Sequence, residues 1–337
     1  MGSWKSKIIS RRALWRLAYL AGFLLVVAMV AWWLMFPIPG SSYAGEVRVE
    51  ENDLSRELQR HVKALAGDIG DRGTYKPESY RKAADYIAGE FASLGYTPRI
   101  EKYPAGGMDC SNIEVQITGS NSPEKILVVG AHYDTVQDSP GANDNTSGVA
   151  AVLALARMMK DSKPGCTIKF VAFANEEPPY FQTPAMGSMV YAKGCKDRGD
   201  KIIGMISLET IGYYSDEENS QRYPTPFDKI YPTTGNFIAF VANVQSRDLM
   251  QESIDAFRKN CDFPSEGGAV PDVAAGIGWS DHWAFWQHGY KALMVTDTAP
   301  FRYRYYHSRN DTPDKLNYPR MAKVVEGLKA VISGLAE

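Results

Sequence analysis

The 337-residue sequence has only four cysteines, Cys110, Cys166, Cys195 and Cys261, and no two of them form a Cys-x-x-Cys pair. A zinc ribbon therefore has no support, because such sites are built from closely spaced cysteine pairs. A basic surplus is also lacking. The 37 Lys and Arg stand against 39 Asp and Glu, a formal net charge of -2. Nucleic-acid binders usually carry a basic patch, so no nucleic-acid partner is expected. No internal repeat is present, which sets aside a repeat architecture. What remains is ordinary globular composition, 45% hydrophobic and 23% charged. The length suits one large α/β domain or two small ones.

The N-terminus departs from that composition. Lys5, Lys7, Arg11, Arg12 and Arg16 precede a run from Leu17 to Phe36 without a charged residue. About twenty apolar residues span a hydrocarbon core. The basic flank predicts residues 1–16 as a cytoplasmic tail, 17–36 as a transmembrane anchor in a lipid bilayer, and an exported body. A cleaved signal peptide is the competing expectation, with Ser42-Tyr43-Ala44 as the cleavage site and a secreted product. Signal h-regions are usually ~7–15 residues long, shorter than this run. Residues 37–53 read as a linker, and 54–337 as the folded domain. Export would permit disulfides, and both bridges and buried free thiols are compatible with the cysteine spacing.

Within the domain, Glu78 to Leu94 shows helical spacing and ends at Gly95, a C-cap residue. Asn112 to Ile117 alternates like a strand. Ile126 to Val129, Ile168 to Phe173, Ile202 to Leu208, Phe237 to Val241 and Ala292 to Thr296 read as further strands. Gly148 to Met159, Ser246 to Lys259 and Tyr318 to Leu335 read as helices. This alternation predicts an α/β fold, a mostly parallel central sheet covered by helices. Tyr213 to Gly235, with Pro224, Pro226 and Pro232, and Asp262 to Gly278 have no clear period. Such long loops are either lids and binding loops or plain surface insertions.

The chemistry-bearing residues cluster at strand ends. His132 and Asp134 follow an apolar run, and Asp144 lies in a Gly-Ala-Asn-Asp turn that leads into a helix. Asn175-Glu176-Glu177 follows another strand, Glu209 ends a third, and His307 lies in YYHSRNDTPDKL. Open sheets bind ligands beyond the carboxyl ends of their strands. Singly, each residue has a bland explanation: a structural histidine, a turn aspartate, a solvated Glu-Glu pair. Together they look like the ligands of a two-metal hydrolase.

The segments HYDTVQDSPGANDNTSG, NEE, SLETIG and YYHSRNDTPDKL resemble, in order, the motifs of family twenty-eight of the metallopeptidases. Bacterial leucyl aminopeptidases, glutamate carboxypeptidase II and glutaminyl cyclases are members. The resemblance runs from about Asp68 to the C-terminus. It implies a zinc aminopeptidase-like fold, peptide substrates and two Zn²⁺ ions per chain that share an aspartate and a water. By motif position His132 binds one metal, Asp144 bridges both, and Glu177 and His307 bind the other. Glu209 completes the first metal's shell, and Glu176 is the general base. Asp134 is implied to orient the imidazole of His132 from behind.

Two features depart from the family pattern. The family usually has aspartate where SLETIG has Glu209. After Glu177, PPYFQTPAM replaces a short glycine-rich continuation, so Tyr180 and Phe181 are expected to shape an apolar specificity pocket. Ser280-Asp281-His282 matches a family motif, and Asp281 and His282 are candidate cleft residues. Of Tyr303, Tyr305 and Tyr306, one is a candidate oxyanion donor. The leading expectation is a membrane-anchored aminopeptidase. The alternatives are a single-zinc glutaminyl cyclase, a dipeptidase or carboxypeptidase, and a non-enzymatic receptor-like ectodomain.

Overall fold

The computed structural model describes residues 10–35, 40–225 and 227–337. Residues 1–9 of the expected tail, Phe36 of the expected anchor, residues 37–39 of the expected linker, and Pro226 lie outside the described residues. The chain divides into two units, Met1–Pro37 and Ile38–Glu337.

The first unit contains helix α1 (Arg11–Met35). Its segment Arg11–Trp32 has 22 residues and contains an 18-residue stretch with a mean hydropathy of 2.0. At 1.5 Å per residue it spans about 33 Å, close to the ~30 Å of a hydrocarbon core. Leu17, Phe23 and Leu25 are exposed along it. Length and composition suit a membrane span and a signal sequence alike. The helix begins at Arg11 rather than Leu17, because arginine is a good helix former and its long stem can carry the charge outward.

The second unit opens with α2 (Asp53–Val62), α3 (Pro77–Ser93), β1 (Arg99–Ala105), β2 (Met108–Ile117) and β3 (Ser122–His132). Then come α4 (Gly148–Met159), β4 (Cys166–Phe173), α5 (Gly187–Arg198), β5 (Lys201–Glu209) and β6 (Ile238–Asn243). It closes with α6 (Arg247–Asn260), β7 (Ser265–Val270), α7 (His282–Gln287), β8 (Ala292–Thr296), α8 (Ala299–Arg302) and α9 (Tyr318–Leu335). Local chemistry starts the helices. Asn52 and Ser55 form a reciprocal capping box at α2, and Pro77 opens α3.

The strands form one eight-stranded sheet in the order β1-β2-β4-β3-β5-β8-β6-β7. Its centre, β4-β3-β5-β8, is parallel. β2 joins β4 antiparallel and β6 joins β8 antiparallel, so the sheet is mixed at its flanks. The unbroken apolar run of β3 is explained by burial on both faces. Leu127, Val129 and Ala131 face the core formed with α2, α3, α4, α6 and α9. Ile126 and Val128 face the smaller core under α5 and α7.

That second face is unevenly covered. α5 and α7 pack over the β3–β4–β5 side. Over β8, β6 and β7 the two aperiodic loops, 213–235 and 262–278, border a cavity instead. β7 lies inside Asp262 to Gly278, where glycine content conceals it from pattern reading. β1 was also unmarked, since its tyrosine-proline end and exposed residues blur the alternation. The four cysteines are buried free thiols. Ser42, in the expected linker, accepts from the Ser265 amide at 3.0 Å and so packs on the body.

Candidate metal centre

His132 and Glu209 end the adjacent strands β3 and β5, and Glu176-Glu177 directly follows β4 on the other side of β3. Three parallel strands thus deliver their side chains to one rim. Asp144 comes from the turn between β3 and α4, and its peptide to Asn145 is cis. Gly141 makes that turn possible. Its φ is +64°, and a Cβ there would lie 2.4 Å from the Asp144 carbonyl oxygen. His307 enters from the segment between α8 and α9.

The five side chains converge. His132 Nε2 lies 3.4 Å from Asp144 Oδ1 and 3.2 Å from Glu209 Oε2. His307 Nε2 lies 3.0 Å from Asp144 Oδ2 and 3.4 Å from Glu177 Oε1. The donor atoms of His132, Asp144 and Glu209 lie within 4.8 Å of one another, as do those of Asp144, Glu177 and His307. Asp144 belongs to both groups, one oxygen toward each histidine. Glu176 stands beside them, with Oε2 3.8 Å from His132 Nε2.

A supporting layer fixes this geometry. The Asp134 carboxylate accepts from the amides of Glu176 at 2.9 Å and Glu177 at 3.0 Å. His132 Nδ1 lies 3.3 Å from the Asp134 carbonyl oxygen and 3.5 Å from its carboxylate. Asp134 therefore ties β3 to the Glu-Glu turn as well as steadying the imidazole. Asp311 accepts from the amides of Asn143 at 2.8 Å and Asp144 at 3.1 Å. Asn145 donates to the Leu208 carbonyl at 2.8 Å, and its Oδ1 accepts from the Thr210 amide at 3.0 Å. Ser280 donates to Glu209 Oε2 at 2.7 Å, which orients the longer side chain found here in place of aspartate. The fully buried Arg72 donates to the carbonyls of Tyr133, Gly70 and Pro140 and to Thr146 Oγ1. Asp311, Asn145 and Arg72 were not singled out from sequence, and Ser280 was named only as part of its motif. For Asp311, the only signal was its place in the His307 motif.

The electrostatics call for a cation. Burial, with the charges of Glu177 and Glu209, pushes Glu176 well above the usual carboxylate range against the pull of His132. Burial and Asp144 push Glu177 up to about 7. Burial opposes charge on His307 too, yet Asp144 and Glu177 lift it to about 10. Asp144 Oδ2 and Glu177 Oε1 are buried and share one neighbouring imidazole, that of His307. Buried carboxylates that repel one another and share so few donors are stable when they coordinate a metal. Imidazole nitrogen and carboxylate oxygen are the donors zinc takes, so these residues fit that ion.

A cavity of about 130 Å³ opens beside Glu209 and Tyr306. Phe237, Val241, Val270, Met294 and Phe301 make its walls mostly apolar. Tyr180 and Phe181 are not among its lining residues. Tyr180 instead pairs with Thr74 Oγ1 at 3.1 Å and packs against the larger core. Asp281 is fully buried, and the charges of His132 and Glu209 act on it.

His282 holds the Ile277 carbonyl at 2.7 Å and meets Trp286 edge-on, at 4.6 Å between ring centroids. It does not line the cavity. Burial pushes it down from 6.5 to about 4. Its proton affinity is thus lower in the folded than in the unfolded chain. The resulting stability is complete above the unfolded value and is lost as pH falls through the folded one. The slope approaches ~1.4 kcal/mol per pH unit between those values. Urea unfolding at a series of pH values should show His282→Gln flattening this part of the profile.

Comparison with known proteins agrees with this geometry. Residues 112–332 match the model of Peptidase family M28. Uncharacterized protein YfbL of Escherichia coli K12 is 36% identical over 281 residues, covering 81% of this chain and 85% of that protein. The fold is similar to BSAP, a zinc aminopeptidase from Bacillus subtilis, with a TM-score of 0.66 and 16% identity, over 86% of this chain and 95% of that one. It is also similar to a glutaminyl cyclase from Fimbriiglobus ruber, with a TM-score of 0.61 and 20% identity, over 86% and 99%. A family match across most of the chain, from β2 into α9, joins motif order and strand-end geometry in one conclusion: the chain belongs to peptidase family M28, a zinc metallopeptidase family.

Proposed function

We propose that this protein is a membrane-anchored, dinuclear zinc aminopeptidase whose catalytic body acts outside the cytoplasm. The observation that carries the dinuclear reading is the split of Asp144, with Oδ1 toward His132 and Oδ2 toward His307. His132, Asp144 and Glu209 would hold one ion, and Asp144, Glu177 and His307 the other. Bound there, zinc supplies Lewis acidity toward the scissile carbonyl and lowers the pKa of a water from 15.7 to about 7. Glu176 takes the proton from the attacking water and returns it to the leaving amine.

The tyrosines divide by environment. Tyr303 donates to Asp311 Oδ1 at 2.9 Å and is committed there. Tyr305 pairs with Arg304. Tyr306 lines the cavity and stacks on His307 at 3.8 Å, and its phenol feels the charges of Asp144 and Glu177. Tyr306 is therefore the donor placed to steady the oxyanion. Asp134 positions Glu176 and Glu177 through their amides. The apolar cavity receives the side chain of the substrate's first residue. The basic flank of α1 supports a cytoplasmic N-terminus.

The test uses the full-length chain in detergent. It is offered leucyl p-nitroanilide and peptides that begin with glutamine, with and without a chelator, beside zinc analysis. The expected result is chelator-sensitive release of the first residue and about two zinc ions per chain, as two-metal hydrolases require. Pyroglutamate formation without hydrolysis would replace this reading with cyclase chemistry.

A further inference from the structure

The sheet register places a second acid in line with the metal centre. Glu209 on β5 pairs with Thr296 on β8, Thr296 with Ala239 on β6, and Ala239 with Glu266 on β7. Cross-strand partners project from the same face of a sheet. Glu209 and Glu266 therefore stand at opposite ends of one row on the face that bears the cavity. Three strand spacings of ~4.8 Å separate them by about 14 Å at their Cα atoms. Between them the row holds only Thr296 and Ala239. In the next row Gly268 keeps the floor low, since a Cβ there would meet the Tyr231 hydroxyl at 2.6 Å. Both glutamates and both small residues line the cavity.

Glu266 is unusual for such a wall. It is half-buried beside Tyr223 and Tyr231, with the Ser42 hydroxyl as a hydrogen-bond partner, and among the described residues no ion pair within 4 Å includes it. Arg258, the cation whose charge acts on it, donates to Ser265 Oγ at 3.0 Å and to the Ser265 carbonyl at 2.7 Å. Burial raises the proton affinity of Glu266, and its negative charge in turn raises that of Tyr231. A carboxylate at the far end of an apolar trough matches a ligand with an apolar stem and a cationic tip. A lysine stem reaches about 6 Å from Cα to Nζ, five bonds in extended form. With its carbonyl over the rim at Glu209, such a residue has its Cα about 1.5 Å farther along the row and its ammonium about 7.5 Å along, and a Glu266 side chain extended about 5 Å back along the row brings its carboxylate within hydrogen-bond reach. The cavity, about 130 Å³, has room for one such side chain, since cavities near 150 Å³ take a benzene-sized guest.

We propose that Glu266 makes the cavity selective for peptides whose first residue is basic, lysine or arginine, over isosteric apolar residues. This rests on the aminopeptidase reading, and the test separates the two. Binding of L-lysinol and L-norleucinol, which cannot be hydrolysed, is measured by calorimetry on the full-length chain in detergent. Hydrolysis of lysyl and norleucyl p-nitroanilides is followed in parallel. Wild-type protein should bind lysinol at least about tenfold tighter, the scale of one charge-assisted contact. Glu266→Gln should erase that ratio and shift the kcat/KM ratio of the two anilides equally. Equal or tighter binding of norleucinol by the wild type overturns the proposal, and that comparison does not depend on the variant folding. Lysinol selectivity without any anilide hydrolysis would keep the role of Glu266 and remove the aminopeptidase reading. Anilide hydrolysis without lysine preference would do the reverse.

Discussion

Glu176→Gln should keep its zinc and lose about 10²–10⁴-fold in kcat, the usual cost of removing a general acid–base group. Glutamine preserves volume and backbone, so the amide of residue 176 still donates to Asp134 Oδ1, at 2.9 Å in the wild type. Glu176 belongs to neither donor group of the metal centre. Metal content and fold are therefore expected to survive while proton transfer does not. The loss should appear in kcat with little change in KM, because an interaction made only in the transition state is removed. Elemental analysis beside steady-state kinetics checks both halves. A variant within tenfold of wild-type kcat would assign the base elsewhere.

Asp144→Ala should empty the centre. Asp144 is the one residue common to both donor groups, so its loss weakens both at once, whereas Glu209→Ala touches only one. Zinc content is expected to fall from about two per chain to near zero in Asp144→Ala, and to about one in Glu209→Ala. Thermal stability follows from linkage. A ligand present at about 100 times its Kd contributes ~2.7 kcal/mol, roughly 4–5 °C for a domain of this size. Chelated wild type and Asp144→Ala should then melt together, both below the zinc-loaded protein. Equal zinc loss in the two variants would contradict the shared role of Asp144.

The fold was legible where periodicity was strong. Gly148 to Met159, Ala292 to Thr296 and Tyr318 to Leu335 coincide with α4, β8 and α9 to the residue. β7 was not legible, because Gly267 and Gly268 carry no side-chain pattern. They are there for close approach: a Cβ on Gly267 would lie 2.9 Å from Ile254 Cδ1. The expectation for Tyr180 and Phe181 followed chain proximity to Glu177. In the structure, Tyr180 turns to Thr74, and residues between Glu209 and Tyr306 wall the cavity.

His132, Asp144, Glu176, Glu177, Glu209 and His307 could be named as candidates without coordinates. Strand ends mark the rim of an open sheet, and the resemblance to the family motifs gave each residue its expected role. Only the folded chain decided what supports and surrounds them. Asp311 meets Asn143 and Asp144, Ser280 meets Glu209, and Glu266 joins the row of Glu209 through strand register. Those relations depend on which strands lie side by side and which faces their side chains share, and local sequence carries neither.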